Sequence, residues 1–255
     1  MSRYLLTLRF DGTAFHGWQV QRGQRTVQQT VQDALERALG HRPDLTGCSR
    51  TDAGVHARMF CAHFDCERDK PEDTMVKALN YWLPPDIAAR DCRVVPDDFH
   101  ARYGALGKQY VYQIWNGAAR DPFLERYALH VRRPLDETRL NELADRFIGK
   151  RDFAGFCAAP GLAANRGGTT RTVLRCDVAR EGDLLRVAVR ADGFLYNMVR
   201  IIVGTLLLAH DEGWTPDELS AAIAKADRAA AGPTAPAHGL FLDEVYYAED
   251  VGSRK

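Results

Sequence analysis

No excess of charge of either sign marks this chain: 34 lysines and arginines stand against 34 aspartates and glutamates over 255 residues. A protein that grips a polyanion through its overall charge is thereby excluded, and any such partner must be met by a local patch. A long apolar run is also missing. The longest, Met198 to Ala209, is broken by Arg200 and is too short to cross a bilayer, so no membrane partner is expected. The opening residues hold no charged stretch followed by an apolar one, and the expected compartment is the cytoplasm. Close cysteine pairs are absent as well: Cys48, Cys61, Cys66, Cys92, Cys157 and Cys176 lie scattered. Reduced thiols packed as small hydrophobes are the expectation, not disulfides. His56, Cys61, His63 and Cys66 fit no zinc-finger spacing, and strand alternation sends some of them to opposite faces. No metal site is expected.

What is present is a globular composition, 45% apolar and 27% charged, long enough for one large domain or two small ones. Its charge is unevenly placed. Residues 1–99 carry 13 basic against 14 acidic side chains, residues 100–180 carry 14 against 8, and residues 181–255 carry 7 against 12. The basic surplus therefore belongs to the middle of the chain and includes Arg102, Lys108 and Arg171.

Periodicity divides the chain into two similar halves. Tyr4 to Phe10 alternates Leu5, Thr7 and Arg9 against Leu6, Leu8 and Phe10, which predicts a strand with one face more buried. Thr26 reads as the N-cap of a helix over Val27 to Leu39, and Gly40 as its stop. A strand follows Asp52, a helix runs from Pro71 toward Trp82, Pro84-Pro85 ends it, and Ile87 to Val95 reads as a strand. This order predicts an α+β layer of the ferredoxin-like kind. The second half offers a strand over Gln109 to Trp115 and a helix over Leu135 to Ile148. Thr170 to Val178 and Leu184 to Ala191 form a hairpin around Glu181-Gly182-Asp183. A buried helix over Tyr196 to Ala209, a surface helix over Pro216 to Lys225 and a strand over Leu240 to Tyr247 complete it. Residues 158–171, rich in Gly, Ala, Pro and Thr, read as a mobile loop.

The densest chemistry lies in Gly47-Cys48-Ser49-Arg50-Thr51-Asp52-Ala53-Gly54-Val55-His56-Ala57, just before the apolar Met59, Phe60, Cys61, Ala62 and Phe64. Asp52 thus falls on a turn entering a core strand, where a carboxylate is costly unless it is paired or used. A turn aspartate that bonds its own backbone is the plain alternative. Tyr110, on a strand, reads equally as core, as its neighbour Tyr112 does. Arg200 interrupts an apolar helix, where a guanidinium needs a carboxylate; Asp192 is near in sequence, and Asp52 is the other candidate.

Five ordered blocks give the chain a family likeness. Arg50-Thr51-Asp52-Ala53-Gly54-Val55-His56 resembles the signature of the TruA-type tRNA pseudouridine synthases, with Asp52 at the place of the nucleophilic aspartate. Tyr4 to Gln19 with Thr26-Val27-Gln28 resembles the family's opening strand, loop and helix. Phe99 to Tyr103 with Lys108 to Tyr112 resembles its central tyrosine motif. Gly193 to Arg200 with Ile202-Val203-Gly204, and Ala235-Pro236 through Tyr247, resemble the last two blocks. The likeness implies an α+β pseudouridine synthase fold: two ferredoxin-like subdomains, 1–105 and 106–255, sharing a mostly antiparallel mixed sheet flanked by helices.

By the same likeness the protein is a tRNA-processing isomerase acting at uridines 38, 39 and 40 of the anticodon stem-loop, and a homodimer in the cytoplasm. Isomerisation conserves atoms and electrons, so no cofactor is expected. The resemblance makes Asp52 the nucleophile, sets Tyr110 against the flipped base, and pairs Arg200 with Asp52. Arg50 and Thr51 flank the nucleophile, Leu240 and Leu242 wall the uracil pocket, and Arg102, Lys108 and Arg171 contact phosphates. Two positions depart from the pattern. Ser49 stands where glycine is expected, a strain if that backbone has a positive φ. Lys108-Gln109 stands before Tyr110 where an arginine-richer pair is expected. A glycosidase would need a second carboxylate that no block supplies. An RNA-binding module without catalysis would lack the aromatic signature of such sheets and would set Asp52 against phosphate.

Overall fold

The computed structural model describes residues 1–67, 71–158 and 167–248. In chain order the elements are β1 (Ser2–Phe10), α1 (Val27–Leu39), β2 (Thr46–Gly47), β3 (His56–Cys66), α2 (Glu72–Trp82) and β4 (Ile87–Val95). Next come β5 (Gly107–Trp115), β6 (Leu129–His130), α3 (Glu137–Ala144), β7 (Gly149–Asp152), β8 (Thr170–Glu181) and β9 (Leu184–Ala191). The chain ends with α4 (Met198–Asp211), α5 (Pro216–Ala224) and β10 (Leu240–Tyr246). This is an α+β protein whose strands pair mostly antiparallel. Two compact units are present: Met1–Gly107 with the chain from Phe241 onward, and Lys108–Leu240.

In the first unit the strands lie in the order β4-β1-β3-β10. β1 is antiparallel to both neighbours, while β10 runs parallel to β3 through the pairs Phe241 with His56 and Leu242 with Ala57. Register decides which side chains are buried. Tyr4 stands opposite Phe64, Leu6 opposite Ala62 and Leu8 opposite Phe60, and all six are fully buried. Tyr4 and Phe64 stack with ring centroids 5.5 Å apart. The helices bury Val27, Val31, Ala34 and Leu35 from α1, and Met75 and Leu79 from α2. The other face of β1 and β3 is mixed: Leu5 is fully buried opposite His63, Arg3 pairs with Asp65, and Thr7 contacts Cys61. Thr26 does precede α1, yet its hydroxyl makes no capping bond, and α1 stops at Gly40 with φ 81°.

In the second unit the order is β5-β9-β8-β7, antiparallel throughout, with β6 parallel to β5 at its end. Tyr112, Ile114, Cys176, Leu185, Val187 and Val189 are buried. Two helices depart from expectation. The segment expected as a helix over Leu135 to Ile148 is helical only from Glu137 to Ala144, because Asp136 caps it by accepting from Arg139 N–H at 3.2 Å. It then tightens into a 3₁₀ turn, Asp145–Phe147, and leaves through Gly149 at φ 109° into β7. α4 begins at Met198 and not at Tyr196, since Asn197 takes a left-handed backbone at φ 63°. α5 starts with a complete capping box between Thr215 and Glu218. Most of the loop expected over residues 158–171 lies outside the described residues.

Candidate active site

In the first unit, chemistry starts from two loops in backbone contact. The loop after β1 and the turn before β3 meet through Trp18 N–H donating to the Thr51 carbonyl (3.0 Å) and Gly54 N–H donating to the Phe15 carbonyl (3.2 Å). The approach is so close that it demands glycine. A Cβ on Gly12 would stand 2.0 Å from the Val55 carbonyl oxygen, and one on Gly17 would stand 2.5 Å from the Thr51 carbonyl oxygen. Gly17 also has φ +85°, a region glycine enters without steric penalty. Between these clamps sits Asp52, part-exposed, its carbonyl accepting from Val55 N–H to close the turn. His56 is buried at the head of β3; Gly12 N–H donates to its Nδ1 at 3.0 Å, and its ring stacks on Phe241 at 4.7 Å. The Arg58 guanidinium lies over the far part of the same site, 4.4 Å from the Phe241 ring centre, and donates to Asp243.

The neighbours of Asp52 take different positions. Arg50 is exposed, whereas Thr51 is buried and contributes its carbonyl to the clamp. Ser49 carries no positive φ, so the strain considered for it does not arise. Leu242 is fully buried beside Ala57 of β3. Arg102 is exposed, its guanidinium 5.7 Å from the ring of Tyr103, on a turn whose N–H groups bond His100 Nδ1.

The second unit holds Lys108, Tyr110, Arg171, Arg200 and Leu240. Tyr110 points from β5 and meets Phe194 edge-on, ring centroids 5.0 Å apart, with 7% of its surface exposed. Tyr112 is a core tyrosine: its hydroxyl donates to the Pro236 carbonyl at 2.8 Å, and burial raises its pKa against the opposing charge of Arg200. Arg200 sits in the first turn of α4. Its Nε donates to the Ala235 carbonyl at 2.7 Å and its Nη1 to Asn197 Oδ1 at 2.8 Å. The carboxylate of Asp192, the nearer candidate partner in sequence, accepts from Thr172 N–H at 2.9 Å. Lys108 faces Ala191 across the strand pair, and Leu240 is buried at the start of β10. Arg171 donates to the carbonyls of Gly168 and Thr170, and stands opposite Arg151 of β7. Gly12, Gly17, Phe194 and Asn197 were not legible as site residues, because their roles depend on which backbone or ring lies against them. Among the described residues no cluster of His, Cys, Asp and Glu is arranged to hold a metal ion.

The first unit thus presents a carboxylate on a clamped turn, and the second, taken by itself, an aromatic ring and a held guanidinium, residue types that an enzyme of polar chemistry uses. Comparison with known proteins gives that class its family. The family model described as tRNA pseudouridine synthase matches residues 7–104 and 143–248, and the chain belongs to this family of isomerases. It is 41% identical over 248 residues to tRNA pseudouridine synthase A of Ruminiclostridium cellulolyticum, covering 97% of this chain and 100% of that one. Identity to the proteins of that name from Syntrophotalea carbinolica and Brevibacillus brevis is 43% in each case, over 97% of this chain and 97% and 100% of theirs. Among solved structures, a chain of an H/ACA RNP bound to a substrate RNA containing 2'-deoxyuridine aligns at 13% identity. Its TM-score is 0.38, with 80% of this chain and 43% of that chain covered.

Proposed function

We propose that this protein converts uridine to pseudouridine at positions 38, 39 and 40 of the tRNA anticodon stem-loop, with Asp52 as the nucleophile. The observation that carries the reading is the turn around Asp52, held from both sides by backbone contacts that only Gly12 and Gly17 permit, in a chain of this family. The reaction breaks the N1–C1′ bond with its electron pair left on the uracil. It forms a C5–C1′ bond from the ring's C5=C6 electrons, releases the C5 proton and returns a proton to N1. A fixed carboxylate meets the demand of the anomeric carbon in this sequence: Asp52 attacks C1′ as N1 leaves, and the ester bond so formed breaks, its electron pair returning to the carboxylate, when C5 bonds to C1′.

The other residues follow from that centre. Tyr110 stacks on the extruded base, and the edge of Phe194 holds its ring in one orientation. Arg200 pairs with Asp52 and keeps it ionised, since a guanidinium favours the charged carboxylate. Leu240 and Leu242 wall the uracil, Arg50 and Thr51 flank the nucleophile, and Arg102, Lys108 and Arg171 meet phosphates. The enzyme works as a cytoplasmic homodimer and consumes no cofactor. The test is pseudouridine mapping at single-nucleotide resolution on an unmodified tRNA transcript, with wild type and with Asp52→Ala. Conversion at 38, 39 or 40 by wild type alone, with tRNA binding retained by the variant, is the expected result. Conversion at other positions overturns the substrate assignment, and conversion by Asp52→Ala overturns the nucleophile.

A further inference from the structure

Asn197 stands at the N-cap of α4 and does not behave as a cap. Asparagine is among the best capping residues because its side-chain oxygen takes an orphan N–H of the first turn. Here the side chain makes no capping bond, and the backbone sits at φ 63°, ψ 8°. Only Asn197 and Ala226 among the described non-glycine residues have a positive φ. Asparagine is the non-glycine residue that enters this region most readily, so the residue type suits the backbone and leaves its side chain available for another contact. What the geometry achieves is visible one turn on: Asn197 Oδ1 accepts from Arg200 Nη1 at 2.8 Å.

A second contact makes the arrangement directional. Ala235 brackets Arg200, its carbonyl accepting from Nε at 2.7 Å and its N–H donating to the Arg200 carbonyl at 3.0 Å. A guanidinium is a rigid planar fork, so bonds at Nε and at Nη1 to two different groups fix its plane as well as its position. The electrostatic effect of an arginine on a reacting carboxylate depends on orientation held in advance.

We propose that Asn197 is a positioning residue for the isomerisation, one that gives up helix capping and accepts a left-handed backbone in order to fix the plane of the Arg200 guanidinium. The inference rests on the role given to Arg200 above, and the experiment separates the two. Asn197→Gly removes the carboxamide while glycine takes φ 63° without steric penalty, so the fold is kept or gains in stability. Single-turnover conversion of a tRNA transcript is measured for Asn197→Gly, Arg200→Ala and the double variant, with the thermal midpoint and tRNA affinity of each. The expected result is a loss of rate of about tenfold or more in Asn197→Gly at unchanged affinity and unlowered midpoint, and no further loss when it is added to Arg200→Ala. A full rate in Asn197→Gly, or an equal loss with and without Arg200, overturns the positioning role. A full rate in Arg200→Ala overturns instead the reading of Arg200 on which it rests.

Discussion

Gly12 is the residue on which the position of Asp52, the proposed nucleophile, turns, although it carries no functional group. A Cβ at that site would fall 2.0 Å from the Val55 carbonyl oxygen and 2.5 Å from its carbon, both backbone atoms that no rotamer change can move. Gly12→Ala therefore has to push apart the loop after β1 and the turn that carries Asp52. The expected destabilisation is about 2–4 kcal/mol, in the range of other severe backbone conflicts. Urea denaturation reads the loss, and pseudouridine formation at a temperature where the variant is folded falls by more than its folded fraction. A variant with wild-type stability and rate sinks the clamp. Asp52 itself was legible in the sequence as a turn residue before a core strand, since glycine and the apolar run after it mark that boundary. The clamp was not, because Gly12 lies forty residues before Asp52 and only the fold brings their backbones together.

At the scale of elements, the face of the first unit's sheet that carries His63 is tied to the turn after β4. Ala101 N–H donates to Nδ1 of His63 on β3 at 3.1 Å, and Tyr247, just past β10, donates its hydroxyl to the Ala101 carbonyl at 2.7 Å. One residue thus links a turn to two chain segments, and His63 must stay neutral to accept. Burial, with Arg3 and His100 nearby and Asp65 opposing them, lowers the His63 pKa from 6.5 to about 4. The unfolded chain then binds the proton more readily than the folded one between these values. Stability contributed by neutral His63 is complete above pH 6.5 and is lost progressively as pH falls toward 4, amounting to ~2 kcal/mol by pH 5. Urea midpoints at pH 7.5 and pH 5 read this fall, and His63→Gln, which keeps an acceptor and cannot titrate, is expected to remove most of it. An unchanged fall in the variant assigns the acid sensitivity elsewhere. The element order itself was legible from periodicity in nearly every case. The exceptions are short or tertiary: β2, β6 and β7 span two to four residues each, too few for alternation to register. The helix expected from Leu135 is cut back at both ends by a capping aspartate and a 3₁₀ turn, local choices that apolar spacing does not report.

The whole molecule has to hold a tRNA with a chain whose charges sum to zero. Salt-dependent phosphate contacts dominate such binding, and they require cations clustered on one surface. The surplus of 14 basic over 8 acidic residues between 100 and 180 is modest for a single chain. Two copies facing one tRNA double it without changing the net charge of either, which is the physical case for the proposed dimer. Sedimentation equilibrium at the concentration used for conversion is expected to give twice the 28.5 kDa chain mass. On dilution below the dimer's dissociation constant, tRNA affinity and conversion rate should fall together, and raising the salt from 50 to 200 mM should weaken binding by about a thousandfold if some six phosphates are neutralised. A species of single-chain mass that converts tRNA at full rate excludes the dimer. The basic surplus of one chain would then have to suffice, with Arg102, Lys108 and Arg171 the first residues to replace in measuring how the salt dependence declines.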